Sequence, residues 1–177
     1  MSDITEQDLF VEEKLKASGL AYTLVRHPPF IESIPFYIGG NAMETGVHVP
    51  AGAGKAGYAS RDDLAEAHAI VLSQDGHEYK TYSLYGDPAV SFADVAQILS
   101  DVSGKRVPFV SGSDHDYIAH LVAAGLPEQA ARFALVWVQG INAGEWGGTA
   151  GDLEKLLGRK PMTAAEFLRA NHAALQA

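Results

Sequence analysis

Cysteine is absent from this chain. That excludes disulfides, thiolate nucleophiles and every cysteine-based zinc site, and makes a cytoplasmic location the expectation. Basic residues are few: 13 Lys and Arg stand against 22 Asp and Glu, a formal net charge of −9. A chain charged in this way repels a phosphate backbone unless its cations cluster, and no basic run is longer than a pair such as Arg159-Lys160. Nucleic-acid binding is not expected. No apolar run approaches the length of a membrane span, and Met1 to Asp8 shows no basic stretch followed by an apolar one. Neither a membrane anchor nor a secretory leader is expected.

Several catalytic signatures are missing as well. No Gly-x-Ser-x-Gly elbow occurs, and Ser111-Gly112-Ser113 lacks that spacing. No Tyr-x-x-x-Lys pair is present: Tyr22 is followed four residues on by Arg26, and Tyr37 by Asn41. Arginine is no substitute for that lysine, because its charge is permanent. Gly52-Ala53-Gly54-Lys55 invites comparison with a phosphate loop, but Val49 stands where the first glycine should be and Ala56 where Ser or Thr should be. A flexible turn is the better account. Asp114, His115, Asp116 and His120 are metal-capable, yet Ser113 with Asp116 already makes a helix cap and no third ligand stands nearby. No metal site is expected.

What is present is the stuff of an ordinary globular domain, with 47% hydrophobic and 20% charged residues placing the chain far from the disordered class. Thr5 with Asp8 resembles a capping box for a helix to about Ser18, which Gly19 ends. Leu20 to Arg26 is a short, apolar run of strand formers, closed by His27-Pro28-Pro29. Residues 30–45 are mixed and broken by Pro35 and Gly39-Gly40, with a short strand after Gly46. Ser60-Asp63 and Ser91-Asp94 signal helices to about Gln74 and Ser103; strands are expected over Tyr79–Tyr85 and Arg106–Val110. Helices follow at 114–124, 127–139, 151–157 and 163–175. Helices alternating with short strands imply an α/β layer with parallel pairing.

Trp137 and Trp146 flank a glycine-containing bend, Gln139 to Glu145. Core packing is the simpler account of both indoles; a pocket for a flat ring is the other.

Several phrases together carry a resemblance. Glu12-x-x-Leu15-x-x-Ser18-Gly19-Leu20-x-Tyr22-Thr23-Leu24-Val25-Arg26, then Gly52-x-Gly54-Lys55, Ser60-Arg61-Asp62-Asp63-Leu64, Tyr79-Lys80-Thr81-Tyr82-Ser83-Leu84 and Phe92-x-x-Val95-Ala96 are similar, in content and order, to the later half of NmrA-like atypical short-chain dehydrogenases. The resemblance covers roughly residues 9 to 168. It implies a single domain over 1–177: a truncated, partial Rossmann-like parallel sheet of about three to four short strands over 1–112, and a helical carboxy-terminal substrate cap over 113–177. The family's members are NAD(P)H-dependent reductases in which a Rossmann half precedes a substrate half. Here the Gly-x-x-Gly-x-x-Gly turn that meets the pyrophosphate is missing. NAD(P)H is therefore an expected cofactor only if that half is supplied. In the family the segment after the strand walls the nicotinamide and substrate, which makes His27, Pro28 and Phe30 cofactor-contacting residues of a completed fold, and Glu32, at an acidic position of the same loop, a substrate-contacting one. Trp137 and Trp146 join it as substrate-contacting candidates on the flat-ring pocket reading alone. The family carries Asn-Gly-aromatic where this chain has His27-Pro28-Pro29-Phe30, and His where Asp8 stands.

Without a preceding strand, residues 20–26 should form an open, apolar sheet edge, to be covered by a second copy or by a complementing Rossmann-half chain. Two functions stay open: an oxidoreductase, or its substrate-binding half, acting on a quinone or other conjugated aromatic acceptor; or a non-catalytic small-molecule-binding or dimerisation module of the same descent.

Overall fold

The computed structural model describes residues 3–50, 52–148 and 151–172. Its first element is helix α1 (Asp3–Ala17). The chain is already helical at Thr5, so Thr5 caps nothing, since a cap residue needs non-helical backbone. Its Oγ1 donates instead to Glu145 Oε2 at 2.6 Å, tying α1 to the far end of the chain.

Strand β1 (Thr23–Arg26) is shorter than its apolar run. Its length is set by its partner, the next but one strand, β3 (Lys80–Ser83), which it meets in parallel with Thr23 opposite Lys80 and Arg26 opposite Ser83. Tyr79 cannot extend that pairing, because its φ of 59° is left-handed rather than extended. Leu20 is left outside the strand and 63% exposed.

The mixed region resolves into a 3₁₀ turn (Ile31–Ser33), α2 (Ile34–Ile38), α3 (Ala42–Thr45) and β2 (Val47–Pro50). Pro35 starts α2 rather than breaking it, since a first-turn residue has no helical use for its N–H. Helix α4 (Arg61–Ser73) is capped by Ser60 and α5 (Phe92–Ser103) by a full Ser91–Asp94 box, with Gly104 in the left-handed conformation at its end. The next strand, β4 (Phe109–Gly112), begins later than its sequence pattern implies. Val107 N donates to Ser100 Oγ at 2.9 Å, which holds residue 107 against α5 and leaves pairing to begin beyond it. Four helices complete the described chain: α6 (Asp114–Ala123), α7 (Glu128–Asn142), α8 (Asp152–Leu157) and α9 (Ala164–Asn171). Of the helix expected over 163–175, positions 173–175 lie outside the described residues.

The fold is α/β and partly Rossmann-like, but the strands form two separate parallel pairs, β1–β3 and β2–β4, not one sheet of three to four. The apolar side chains divide likewise. A large cluster joins α2, β2, α5, α6, α7 and α9, around Ile34, Val49, Leu99, Leu121 and Leu168, and so takes residues from both sides of position 112. A smaller one, Ala59, Leu64, Ala67, Leu84 and Leu153, lies under β1 and β3. Between these two clusters the chain leaves an opening at the end of β1.

Candidate functional site

Two prolines after Arg26 stop β1, and the chain leaves the sheet where a parallel layer usually receives its ligand. A cavity of about 620 Å³ opens there. His27, Pro28 and Phe30 form one wall of it, α1 another, and Phe133, Trp137 and Trp146 a third. Five of the six residues marked out in the sequence thus meet in one space. Glu32 is not among the lining residues. Its Oε1 accepts from Arg61 N at 3.0 Å and so anchors the start of α4.

The indoles of Trp137 and Trp146 stack, with centroids 5.0 Å apart and planes inclined by 25°. Gly140 makes this possible: a Cβ there would lie 2.6 Å from a ring carbon of Trp146. Trp146 is buried in the larger core while Phe133, edge-on to Trp137 at 6.4 Å, is more than half exposed. The result is a rigid aromatic wall with a firm back and an accessible front, suited to a flat conjugated ring.

Polar side chains also border the cavity. Arg26 donates from Nε and Nη2 to the two carboxylate oxygens of Glu12, each at 2.7 Å. These hydrogen bonds hold the Glu12 carboxyl below the usual carboxylate range despite its burial. The Arg61 guanidinium lies 5.0 Å from the centre of the Phe30 ring, a cation–π contact. Tyr37 also faces the cavity, and burial pushes its hydroxyl up to about 12, so it stays protonated at neutral pH. His27 meets His68 of α4, Nε2 to Nε2, at 3.2 Å. Sequence inspection missed His68 and Arg61; His68 stands one turn beyond Leu64, beside the apolar stripe of α4, the only hint of its placement.

The glycine-rich turn is no phosphate cradle. A Cβ on Gly54 would meet the carbonyl oxygen of Ile141 at 2.0 Å, and Asn142 Nδ2 donates to Pro50 O at 3.1 Å. These glycines are small because the end of α7 lies against them. Asp116 is spent on the Ser113 capping box, and His120 stacks on His48 at 4.3 Å. Among the described residues no three His, Asp or Glu side chains converge as a metal site, and no helix is long and apolar enough to cross a membrane. His27, Pro28 and Phe30 thus border the cavity, while the glycine-rich turn is closed off by the end of α7. On its side away from β3, β1 has no strand partner among the described residues.

No family model matches the chain. It is nevertheless 35% identical over 166 residues to quinone oxidoreductase 2 of Escherichia coli, spanning 92% of this chain and 57% of that protein. The crystal structure of that NADPH-dependent enzyme superposes with a TM-score of 0.86, over 97% of this chain and 62% of the other, at 31% identity. The chain is homologous to the carboxy-terminal half of NmrA-like oxidoreductases. The triphenylmethane reductase of Citrobacter sp., complexed with NADP(H), agrees with a TM-score of 0.79 and 31% identity over 92% of this chain and 57% of that one. An NAD(P)H azoreductase of Xenophilus azovorans is 28% identical over 94% of the chain. The chain therefore spans rather more than half the length of these NmrA-like relatives.

Proposed function

We propose that this chain is the acceptor-binding half of an NAD(P)H-dependent reductase of quinones or similar flat, conjugated molecules. The observation that carries the reading is the cavity in which the Trp137–Trp146 stack faces the end of β1. The acceptor would lie on the indole wall, and the nicotinamide ring against His27, Pro28 and Phe30. Bound there, the cofactor supplies the hydride; this chain's part is to hold the acceptor flat, exclude water and fix the distance between the rings. Glu32, tied to the start of α4, supports the loop from behind. The phosphates of the cofactor belong to a Rossmann half that docks on the open edge of β1 and covers the exposed Phe10 and Val11 of α1.

Menadione should quench the tryptophan fluorescence of the purified chain, and Trp137→Ala should weaken that binding about tenfold or more, since one base-sized aromatic stack contributes about 1–3 kcal/mol. A chimera carrying the glycine-rich half of the E. coli relative ahead of this chain should oxidise NADPH with menadione, while the chain alone should not. Unchanged tryptophan fluorescence at saturating menadione would remove the basis of the proposal.

A further inference from the structure

The hydrogens available to His27 at the cavity and to its neighbour His68 limit what the pair can do. A carbonyl oxygen only accepts, so the 2.7 Å contact between His68 Nδ1 and Leu64 O requires a hydrogen on that nitrogen. The Nε2 atoms of His27 and His68, 3.2 Å apart, need one hydrogen between them. In the uncharged pair His68 therefore offers a lone pair at Nε2 and His27 carries the Nε2 hydrogen. That leaves His27 Nδ1 a bare acceptor, with no protein partner among the described residues. Adding one proton allows two arrangements. Either His27 holds hydrogens on both nitrogens, or His68 does and His27 keeps its hydrogen on Nδ1 alone. In both, His27 Nδ1 has become a donor. A second proton would set two hydrogens against each other across the Nε2 contact, so the pair stops at one.

We propose that His27 Nδ1 exchanges a proton with the heteroatom of the acceptor held in this cavity, and that His68 is the residue that positions it. This rests on the reading of the cavity as a quinone site. Two-electron reduction by a nicotinamide hydride converts a quinone into the hydroquinone monoanion. One proton from Nδ1 completes the hydroquinone, the nicotinamide is left oxidised and the histidine pair returns to its uncharged form. Burial and then the neighbouring His68 hold the His27 pKa below the ordinary histidine range, so the proton is readily given up. The other charged and titratable groups of the cavity are Asp8 and Glu12 on α1, Arg26, Tyr37 on α2, Arg61 on α4, Tyr85 after β3, and Glu145 after α7. Glu12 and Arg26 neutralise each other, and Arg61 is turned onto Phe30.

The pair can be read without any ligand, by NMR of the histidine ring nitrogens in the isotope-labelled chain from mildly alkaline to mildly acidic pH. The expected result is one shared proton, with His27 changing from the Nε2–H form to a form bearing Nδ1–H. Two independent one-proton titrations would overturn the proposal. Menadione binding, followed by tryptophan quenching, should then be roughly fivefold tighter on the acidic side, the worth of one hydrogen bond. Menadiol, which donates where menadione accepts, should show the opposite trend under anaerobic conditions. His27→Gln should flatten both profiles, with His27→Asn as the second variant if the first fails to fold. His68→Ala should abolish the shared titration and leave His27 to titrate alone, without the switch from Nε2–H to Nδ1–H, which a merely structural role would not do. Binding of menadione that is tight but independent of pH would overturn the proposal. Absence of binding at every pH would instead refute the quinone-site reading, and the ring-nitrogen titration would still decide the pair.

Discussion

Gly140 shows how much a single missing side chain can determine. On α7 a glycine costs about 1 kcal/mol relative to alanine. The Trp146 ring occupies the place its Cβ would take, 2.6 Å away, and overpacking of that kind costs about 1–3 kcal/mol. Gly140→Ala should therefore lose about 1 kcal/mol net in urea unfolding and weaken the near-ultraviolet circular dichroism of the stacked indoles. An unchanged tryptophan spectrum would count against the stack as described. Asp63 is the second such residue. Its buried carboxylate accepts from Ser60 Oγ at 2.8 Å and Met162 N at 2.7 Å, and pairs with Arg159 Nη1 at 2.8 Å. Asp63→Ala leaves the first two donors without an acceptor, at about 1–3 kcal/mol, measurable as a lower urea midpoint. From sequence Asp63 was legible only as the capping partner of Ser60, because Met162 approaches from 99 residues away.

Helix α1 is tied to the rest of the chain at both ends. The Glu12–Arg26 fork clasps it to β1, and the Thr5–Glu145 hydrogen bond holds its other end. Because the Glu12 carboxyl lies below its ordinary range in the folded chain, the unfolded chain binds more protons. The clasp is thus at full strength above the ordinary carboxyl range and fades as pH falls through the folded value. Glu12→Gln should cost about 1 kcal/mol at neutral pH, a figure kept low because Arg26 is 41% exposed and screened by solvent. It should also shallow the loss of thermal stability on acidification, and speed amide exchange in α1 before the rest of the fold. An identical pH profile in the variant would show the clasp to be inert. The helix itself and the apolar strand were readable from local pattern; the fork was not, since Glu12 and Arg26 belong to different elements.

For the molecule as a whole, the feature to explain is the edge of β1 that no strand pairs among the described residues, with Phe10 and Val11 each 62% exposed on the helix beside it. Phe10→Asp should leave the stability of the isolated chain within about 0.5 kcal/mol, as surface changes do. In the chimera with a Rossmann half it should lower NADPH-dependent turnover if that half covers α1; equal turnover would place the docking surface elsewhere. The sequence alone determined what depends on neighbours a few residues apart. The caps at Ser60, Ser91 and Ser113 all form where the sequence places them, the one expected at Thr5 does not, and the prolines after Arg26 end β1. Only the tertiary structure decided that the four strands of the described residues make two pairs, that Trp146 lies over Gly140, and that His27 meets His68 across 41 residues. Caps and turns are settled by short-range sterics and hydrogen bonds within one segment. A contact between segments depends on how whole elements pack, and local pattern does not encode that distance.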